Sequence, residues 1–158
     1  MVSNATIEAA RLRDVGILNK LFIQSVESSF DYFTEAYREQ LRREHSKARF
    51  LKALCSDRSC FLIARLEGNP VGYSLSRVDG VETGFIHWMY VLPNMQGKGI
   101  GSALLGSSQK ILSERGVHSL RLLTHDQVEF YRRLGFKQQG YIEDYSGGVP
   151  MTVMECQI

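Results

Sequence analysis

Apolar and polar positions along this chain follow two different periods, and the switches between them outline its elements. Thr6–Ala10 reads as a short strand. Asp14 then stands as a helix N-cap, with Val15, Leu18, Leu21 and Phe22 at helical spacing in a helix that fades near Ser28–Ser29. A second helical region follows Thr34, with Tyr37, Leu41, Ala48, Leu51 and Cys55 on one broad stripe. Arg, Lys and Glu crowd its other faces, the mark of a solvated helix surface. The middle of the chain has strand chemistry. Cys60–Leu66 is apolar, Gly68-Asn69-Pro70 is a turn, and Val71–Val78 continues as a second strand to the turn at Asp79-Gly80. Thr83–Leu92 is rich in aromatic and β-branched residues and stops at Pro93. A Gly-rich loop, Gln96-Gly97-Lys98-Gly99-Ile100-Gly101, leads into a helix from Ser102 to about Arg115, closed at Gly116. Leu120–Leu123 is a short strand and Val128–Leu134 a short helix closed by Gly135. Gln138–Asp144 and Met151–Gln157 form a closing hairpin across Ser146-Gly147-Gly148. The pattern is mixed α/β.

Composition narrows the class. A chain of 158 residues with no internal repeat or Pro/Ser-rich linker predicts a single domain over 1–158. A chain this long buries about 70% of its unfolded surface and needs no metal or disulfide staple. Its 44% hydrophobic and 23% charged residues exclude a disordered chain, a collagen and a coiled-coil rod. No apolar run is long enough to span a membrane, and the opening MVSNATIEAARLRD has no apolar signal core. The expected location is cytoplasmic, with no membrane partner. A net charge of +2 gives no reason to invoke nucleic acid. Cys55, Cys60 and Cys156 form no CxxC and read as reduced thiols. His45, His87, His118 and His125 lack ligand spacing, so no metal is expected.

Strand, Gly-rich loop, helix is an arrangement that binds phosphate groups, because glycines let backbone N–H groups approach an anion at a helix N-terminus. The common nucleotide motifs do not fit. A P-loop needs Lys followed by Ser or Thr, and Lys98 precedes a glycine. A dinucleotide fingerprint started at Gly97 meets Ser102 where Gly or Ala belongs. Q-x-x-G-x-G does fit, as Gln96, Gly99 and Gly101, inside the string YVLPNMQGKGIGSALL. Here the sequence resembles the GNAT superfamily of acetyl-CoA-dependent N-acyltransferases. The opening Ile7–Leu18 is similar to the family's first strand and helix. Phe130-Tyr131-Arg132-Arg133-Leu134-Gly135-Phe136 resembles its FYxxxGF element, and the hairpin ending at Val153-Met154-Glu155 has the usual form. The resemblance implies an α+β fold with a mixed, mostly antiparallel central sheet flanked by helices. It implies acetyl-CoA as co-substrate, with Met89 and Val91 offering backbone groups to the pantetheine arm. Gln96, Gly97, Lys98, Gly99, Gly101 and Ser102 would surround the pyrophosphate. Thr124 stands where an Asn often contacts the cofactor.

Amide formation from a thioester needs a neutral amine, a donor for the oxyanion and a proton for the leaving thiolate. The resemblance assigns the last task to Tyr131. The Glu that many members place eleven residues before the Gln is Phe85 here. His87 lies two residues along, on the same face as Phe85 and Met89 by period-two parity, and is the candidate base. An imidazole near pKa ~6.5 predicts an acidic limb in the pH–rate profile near pH ~6–7. Glu82 is a weaker candidate near the acceptor. No cysteine sits in a motif, so direct attack in a ternary complex is expected over a ping-pong route. The acceptor pocket is expected to use Phe30 and Tyr32 from Ser28–Phe33, whose aromatic rings and Asp31 suit a cationic amine. Glu143, Asp144 and Tyr145 can add negative charge. The acceptor is then a small-molecule or peptide amine, and homodimerisation is compatible with the family. The competing function is a non-catalytic acyl-CoA-binding or sensing domain.

Overall fold

The computed structural model describes residues 4–158. Strand β1 (Thr6–Ala9) is followed by helices α1 (Val15–Ser28), α2 (Glu35–Glu44) and α3 (Lys47–Leu54). Strands β2 (Ser59–Leu66), β3 (Asn69–Val78) and β4 (Thr83–Val91) come next, then α4 (Ile100–Glu114) and β5 (Ser119–Thr124). Helix α5 (Val128–Arg133), β6 (Lys137–Ser146) and β7 (Val149–Gln157) complete the chain. The seven strands form one sheet in the order β1-β2-β3-β4-β5-β7-β6. Neighbours are antiparallel except β4 and β5, which are parallel and joined by the α4 crossover.

Each face of the sheet carries its own core. On one, Leu104, Leu105 and Leu112 of α4 pack on Leu62, Ala64, Ile86, Leu122 and Met154. On the other, Leu18, Phe22, Leu41 and Phe50 of the first three helices pack on Phe61, Ile63, Tyr73 and Tyr90. That is why Cys60–Ala64 reads as an unbroken apolar run: β2 is buried on both sides. No helix of the described residues is long and apolar enough to cross a membrane.

Three expectations change. The region after Thr34 is two helices rather than one. Thr34 caps α2 by accepting from the Tyr37 N–H at 3.3 Å, and Ser46 restarts the chain by accepting from the Arg49 N–H at 3.4 Å. The break at His45 resets the helical phase, so Phe50 is the buried residue of α3 and Leu51 is 44% exposed. Asp14 precedes α1 but caps it with no side-chain hydrogen bond. A 3-10 turn, Leu12–Asp14, already winds the chain there. The buried Asp14 carboxylate instead accepts from the Arg11 N–H at 2.8 Å and pairs with Arg65 at 2.7 Å. Third, β4 carries a bulge opposite β3: Leu75 faces Trp88 while Ser76 faces Ile86, leaving His87 as the extra residue. The bulge reverses side-chain parity. Ile86 and Met89 pack in the α4-side core, while Trp88 and Tyr90 pack on the other face. His87 therefore shares a face with Phe85, ring centroids 5.0 Å apart, but not with Met89.

A buried histidine ties the helical layer to this bulge. Trp88 Nε1 donates to His45 Nε2 at 3.1 Å, and an indole N–H is only ever a donor. The proton of the neutral ring therefore sits on Nδ1, which donates to the Leu41 carbonyl at 2.9 Å. The ring stacks on Phe22 at 4.3 Å. Burial holds its pKa below the usual histidine value. The folded state thus binds this proton less readily than the unfolded chain, so the stability it contributes is full above about pH 6.5 and falls as pH drops below that. His45→Gln, leaving the Trp88 N–H poorly paired, should cost about 1–3 kcal/mol at pH 8. It should also flatten the stability loss between pH 6.5 and 5. Urea unfolding at both pH values checks this; an unchanged slope would show that His45 does not titrate with folding.

Candidate active site

The parallel pairing of β4 and β5 runs only from Thr83–Ile86 against Ser119–Leu122. Beyond it β4 continues to Val91 and β5 to Thr124 without pairing to each other, so the two strands part where the bulge lies. A cleft of about 670 Å³ opens at this point. Phe85, His87, Trp88 and Met89 line it from β4, Thr124 and Asp126 from the end of β5, and Tyr131 from α5. Phe30, Tyr32 and Phe33 close one side, and Tyr145 of the hairpin joins them.

Tyr131 is buried between Phe130 and Phe136, with centroids at 5.0 and 5.6 Å. Its hydroxyl makes no hydrogen bond among the described residues. Burial, and secondarily Asp126, push its pKa above the ordinary phenol value, so it stays protonated. His87 is exposed, yet it stands among the walls of the cleft, which take away part of its hydration. That desolvation lowers its pKa; Arg77 adds to the effect and Asp79 opposes it. Tyr32 stacks on His125 at 4.4 Å, and His125 Nδ1 is 2.8 Å from the Pro150 carbonyl. Phe30 lies 5.4 Å from Trp88. Phe30 and Tyr32 thus stand together at the cleft, and Tyr32 is backed by His125, a contact that the sequence pattern did not mark.

Other expected residues have different surroundings. Glu82 adopts φ 62° in the β3–β4 turn, its carbonyl accepts from His118 N–H at 2.8 Å, and it does not line the cleft. Asp144 accepts from the Gly148 N–H at 2.8 Å, serving the hairpin turn. Sequence reasoning missed the basic side of the cleft, Arg49 and Lys52 of α3 with Arg77 of β3. The only local signal was their spacing of three on a helix that had been phased differently.

The Gly-rich loop lies against the α4 N-terminus. Gly97 and Gly99 have φ of +73° and +80°, a conformation glycine adopts without strain, and a Cβ on either would meet open space. The backbone N–H groups from Gly97 to Ser102 form no hydrogen bond among the described residues. At Gly101 a Cβ would sit 3.2 Å from the Phe130 ring, so glycine lets α4 approach α5. Unpaired N–H groups at a helix N-terminus suit a pyrophosphate. The remaining expected contacts are partly occupied within the chain. Gln96 Nε2 donates to the Val91 carbonyl at 3.1 Å, Lys98 Nζ lies 3.6 Å from Met95 Sδ, and Thr124 Oγ1 accepts from the Gln127 N–H at 3.1 Å. The Thr124 hydroxyl proton remains available to an acceptor. Ser102 is exposed in the first turn of α4.

A split sheet, a helix start with free N–H groups and a cleft containing a protonated phenol are together suited to transferring an acyl group from a phosphate-bearing carrier. The chain belongs to the acetyltransferase (GNAT) family, whose model matches residues 24–136. It is an N-acetyltransferase that uses acetyl-CoA and an amine-bearing acceptor. Serotonin N-acetyltransferase 2, chloroplastic, of Oryza sativa subsp. japonica is 32% identical over 126 residues, covering 78% of this chain and 56% of the relative. An uncharacterised N-acetyltransferase of Methanocaldococcus jannaschii is 23% identical over 157 residues, covering 90% of this chain and 70% of its own. Among solved structures, the PaiA N-acetyltransferase of Thermoplasma acidophilum in complex with coenzyme A shares the fold. It has a TM-score of 0.83 at 23% identity and covers 98% of this chain and 99% of its own.

Gly99→Asp puts a side chain at positive φ and a negative charge among the free N–H groups. It should weaken CoA binding about 10²-fold or more, with a smaller loss of stability. Lys98→Ala should weaken binding less, because its ammonium is one flexible contributor. Titration calorimetry together with thermal unfolding reads both; unchanged CoA affinity in Gly99→Asp would remove the pyrophosphate from this loop.

Proposed function

We propose that the chain acetylates a primary amine by direct attack within a ternary complex, with Tyr131 at the departing thiolate and His87 taking the proton of the attacking nitrogen. The supporting observation is that both side chains line one cleft where β4 and β5 part. In the net reaction a C–N bond forms and a thioester C–S bond breaks. One amine proton leaves through His87 to solvent, and the released thiolate takes a proton from solvent to end as a thiol. A phenol held above pKa ~10 gives up its proton to a thiolate of pKa ~8.5 only uphill. Tyr131 therefore acts chiefly by hydrogen-bonding the charge that develops on sulfur. His87, held below its ordinary value, is neutral and able to accept at cellular pH. The thiols support direct attack: none lines the cleft, and burial raises the pKa of Cys60 and Cys156. In the same reading Met89 and Val91 border the pantetheine arm. Gln96, Gly97, Lys98, Gly99, Gly101 and Ser102 surround the pyrophosphate, and Thr124 offers its hydroxyl proton to the cofactor. Phe30 and Tyr32 enclose the acceptor. Two-substrate initial rates test the reaction order: intersecting lines are expected, and parallel lines would establish a covalent enzyme intermediate.

Tyr131→Phe keeps the ring and removes the donor. It should lower kcat about 10²-fold with CoA affinity little changed; a variant with the parent kcat would make Tyr131 a packing residue. For His87, the pKa direction moves the acidic limb of kcat/KM below about pH 6.5. His87→Gln should flatten that limb. Arg77→Gln, which removes a nearby positive charge, should move it to higher pH. A limb unaltered in both variants would assign the base elsewhere.

A further inference from the structure

We propose that the acceptor amine carries an anionic group, a carboxylate or phosphate a few bonds from the attacking nitrogen, held by Arg49, Lys52 and Arg77 on one wall of the cleft; this rests on the acyl-transfer reading above. Helix α3 builds half of that wall. Phe50, 1% exposed, anchors its inner face, and Arg49, Lys52, Ala53 and Ser56 recur at helical spacing along the cleft. Strand β3 supplies the rest. Arg77 is registered opposite Phe85, so both project from the same face of the sheet, and Phe85 lies beside His87.

These three cations stand apart from the paired arginines of the molecule by lining one concavity together. Arg38, Arg42, Arg65, Arg121 and Arg132 each meet a carboxylate within the chain. Among the described residues, the side chains of Arg49, Lys52 and Arg77 form no ion pair and no hydrogen bond, although they converge on one concavity. Arg77 and Arg49 both act electrostatically on His87, with Asp79 acting in the opposite sense. Glu44 shares the cleft with them, and the cations outnumber it beside the proposed base. The opposite side of the cleft has the reverse character, with Asp126 acting on Tyr32 and Tyr131. A dipolar acceptor matches this gradient: its nitrogen lies between His87 and Tyr131, and its anion turns toward α3. The cations are not an extension of the pyrophosphate loop. Helix α3 packs in the core on the face of the sheet opposite α4, and none of residues 96–102 lines the cleft.

The test uses pairs of amines that differ in the anion: phenylalanine against phenethylamine, phosphoethanolamine against ethanolamine, and a pentapeptide beginning Ala-Glu against one beginning Ala-Gln. Released thiol is measured with acetyl-CoA at pH 8, where His87 is neutral. At least one anionic member should show a tenfold or greater advantage in kcat/KM. Which pair does so separates a free amino acid, a phosphorylated amine and an acidic peptide terminus. In Arg49→Gln and Lys52→Gln that ratio should fall toward one, and Arg49→Glu should reverse it. Equal kcat/KM within every pair, or a ratio that survives all three substitutions, overturns the inference while leaving acetyl transfer intact. Absence of thiol release with every amine counts against the acyl-transfer reading instead. Calorimetric binding of the same pairs to the CoA-saturated protein then decides the inference: tighter binding of an anionic member, lost in Arg49→Gln, sustains it, and equal binding overturns it.

Discussion

Between Ile86 and Val91, strand β4 has a hydrogen-bonded neighbour on one side only. An exposed strand edge inside a sheet is costly unless something else satisfies its backbone groups. Part of the cost is met by Gln96, whose amide reaches back to the Val91 carbonyl. The rest of the edge is the opening itself. The parallel β4–β5 pair demands a crossover, α4 is that crossover, and its N-terminus is consequently delivered to the end of β4. The glycine loop and the split in the sheet are thus two consequences of one connection.

The bulge at His87 shapes the cleft in that opening. Without the extra residue, Met89 and His87 would share a face, and one of them would be misplaced. With it, Met89 packs in the core beneath α4 while His87 stays with Phe85 above the cleft. The bulge is held from outside the sheet. Trp88, its next residue, donates to His45, and Phe22, Phe50 and His45 surround the contact with aromatic surface. The helical layer therefore sets the geometry of the strand, and its pairing with Trp88 requires a neutral imidazole. Two histidines with lowered pKa values follow from different causes of position: His45 from burial in an aromatic core, His87 from the walls of a cleft that also holds Arg77.

Charge is distributed with the same economy. Asp14, buried at the start of α1, is compensated by Arg65 and by the Arg11 N–H, so a carboxylate in the interior has partners on both oxygens. Some exposed acids and bases pair locally along helices or across strands, as Arg38 with Glu35 and Arg121 with Glu155 do. The cleft gathers basic side chains of α3 and β3, with Glu44 of α2 near them, and an aromatic side with Asp126 at the end of β5. Burial also keeps the hydroxyls of Tyr32 and Tyr131 protonated, so the donors in the cleft do not add negative charge of their own.

Much of the architecture was legible in residue order. Strand and helix periods, the Gly116 and Gly135 stops and the hairpin at Gly147-Gly148 depend on neighbours a few positions apart, and those elements stand within a few residues of expectation. The string from Tyr90 to Leu105 likewise carries its meaning locally, because a strand, a glycine turn and a helix start are contiguous. Asp14, the phase of α3 and the face of Met89 were not legible. Each depends on a distant partner: Arg65 for the carboxylate, the aromatic cluster around Phe22 for Phe50, and the β3 register for the bulge. The sequence by itself therefore determined the succession of elements, the glycine loop ahead of α4 and the placing of Tyr131 in its short helix. Only the tertiary structure decided which side of β4 His87 occupies and that Arg49, Lys52 and Arg77 meet in one cleft. Periodicity records a residue's local face, whereas register and layer packing decide what that face meets.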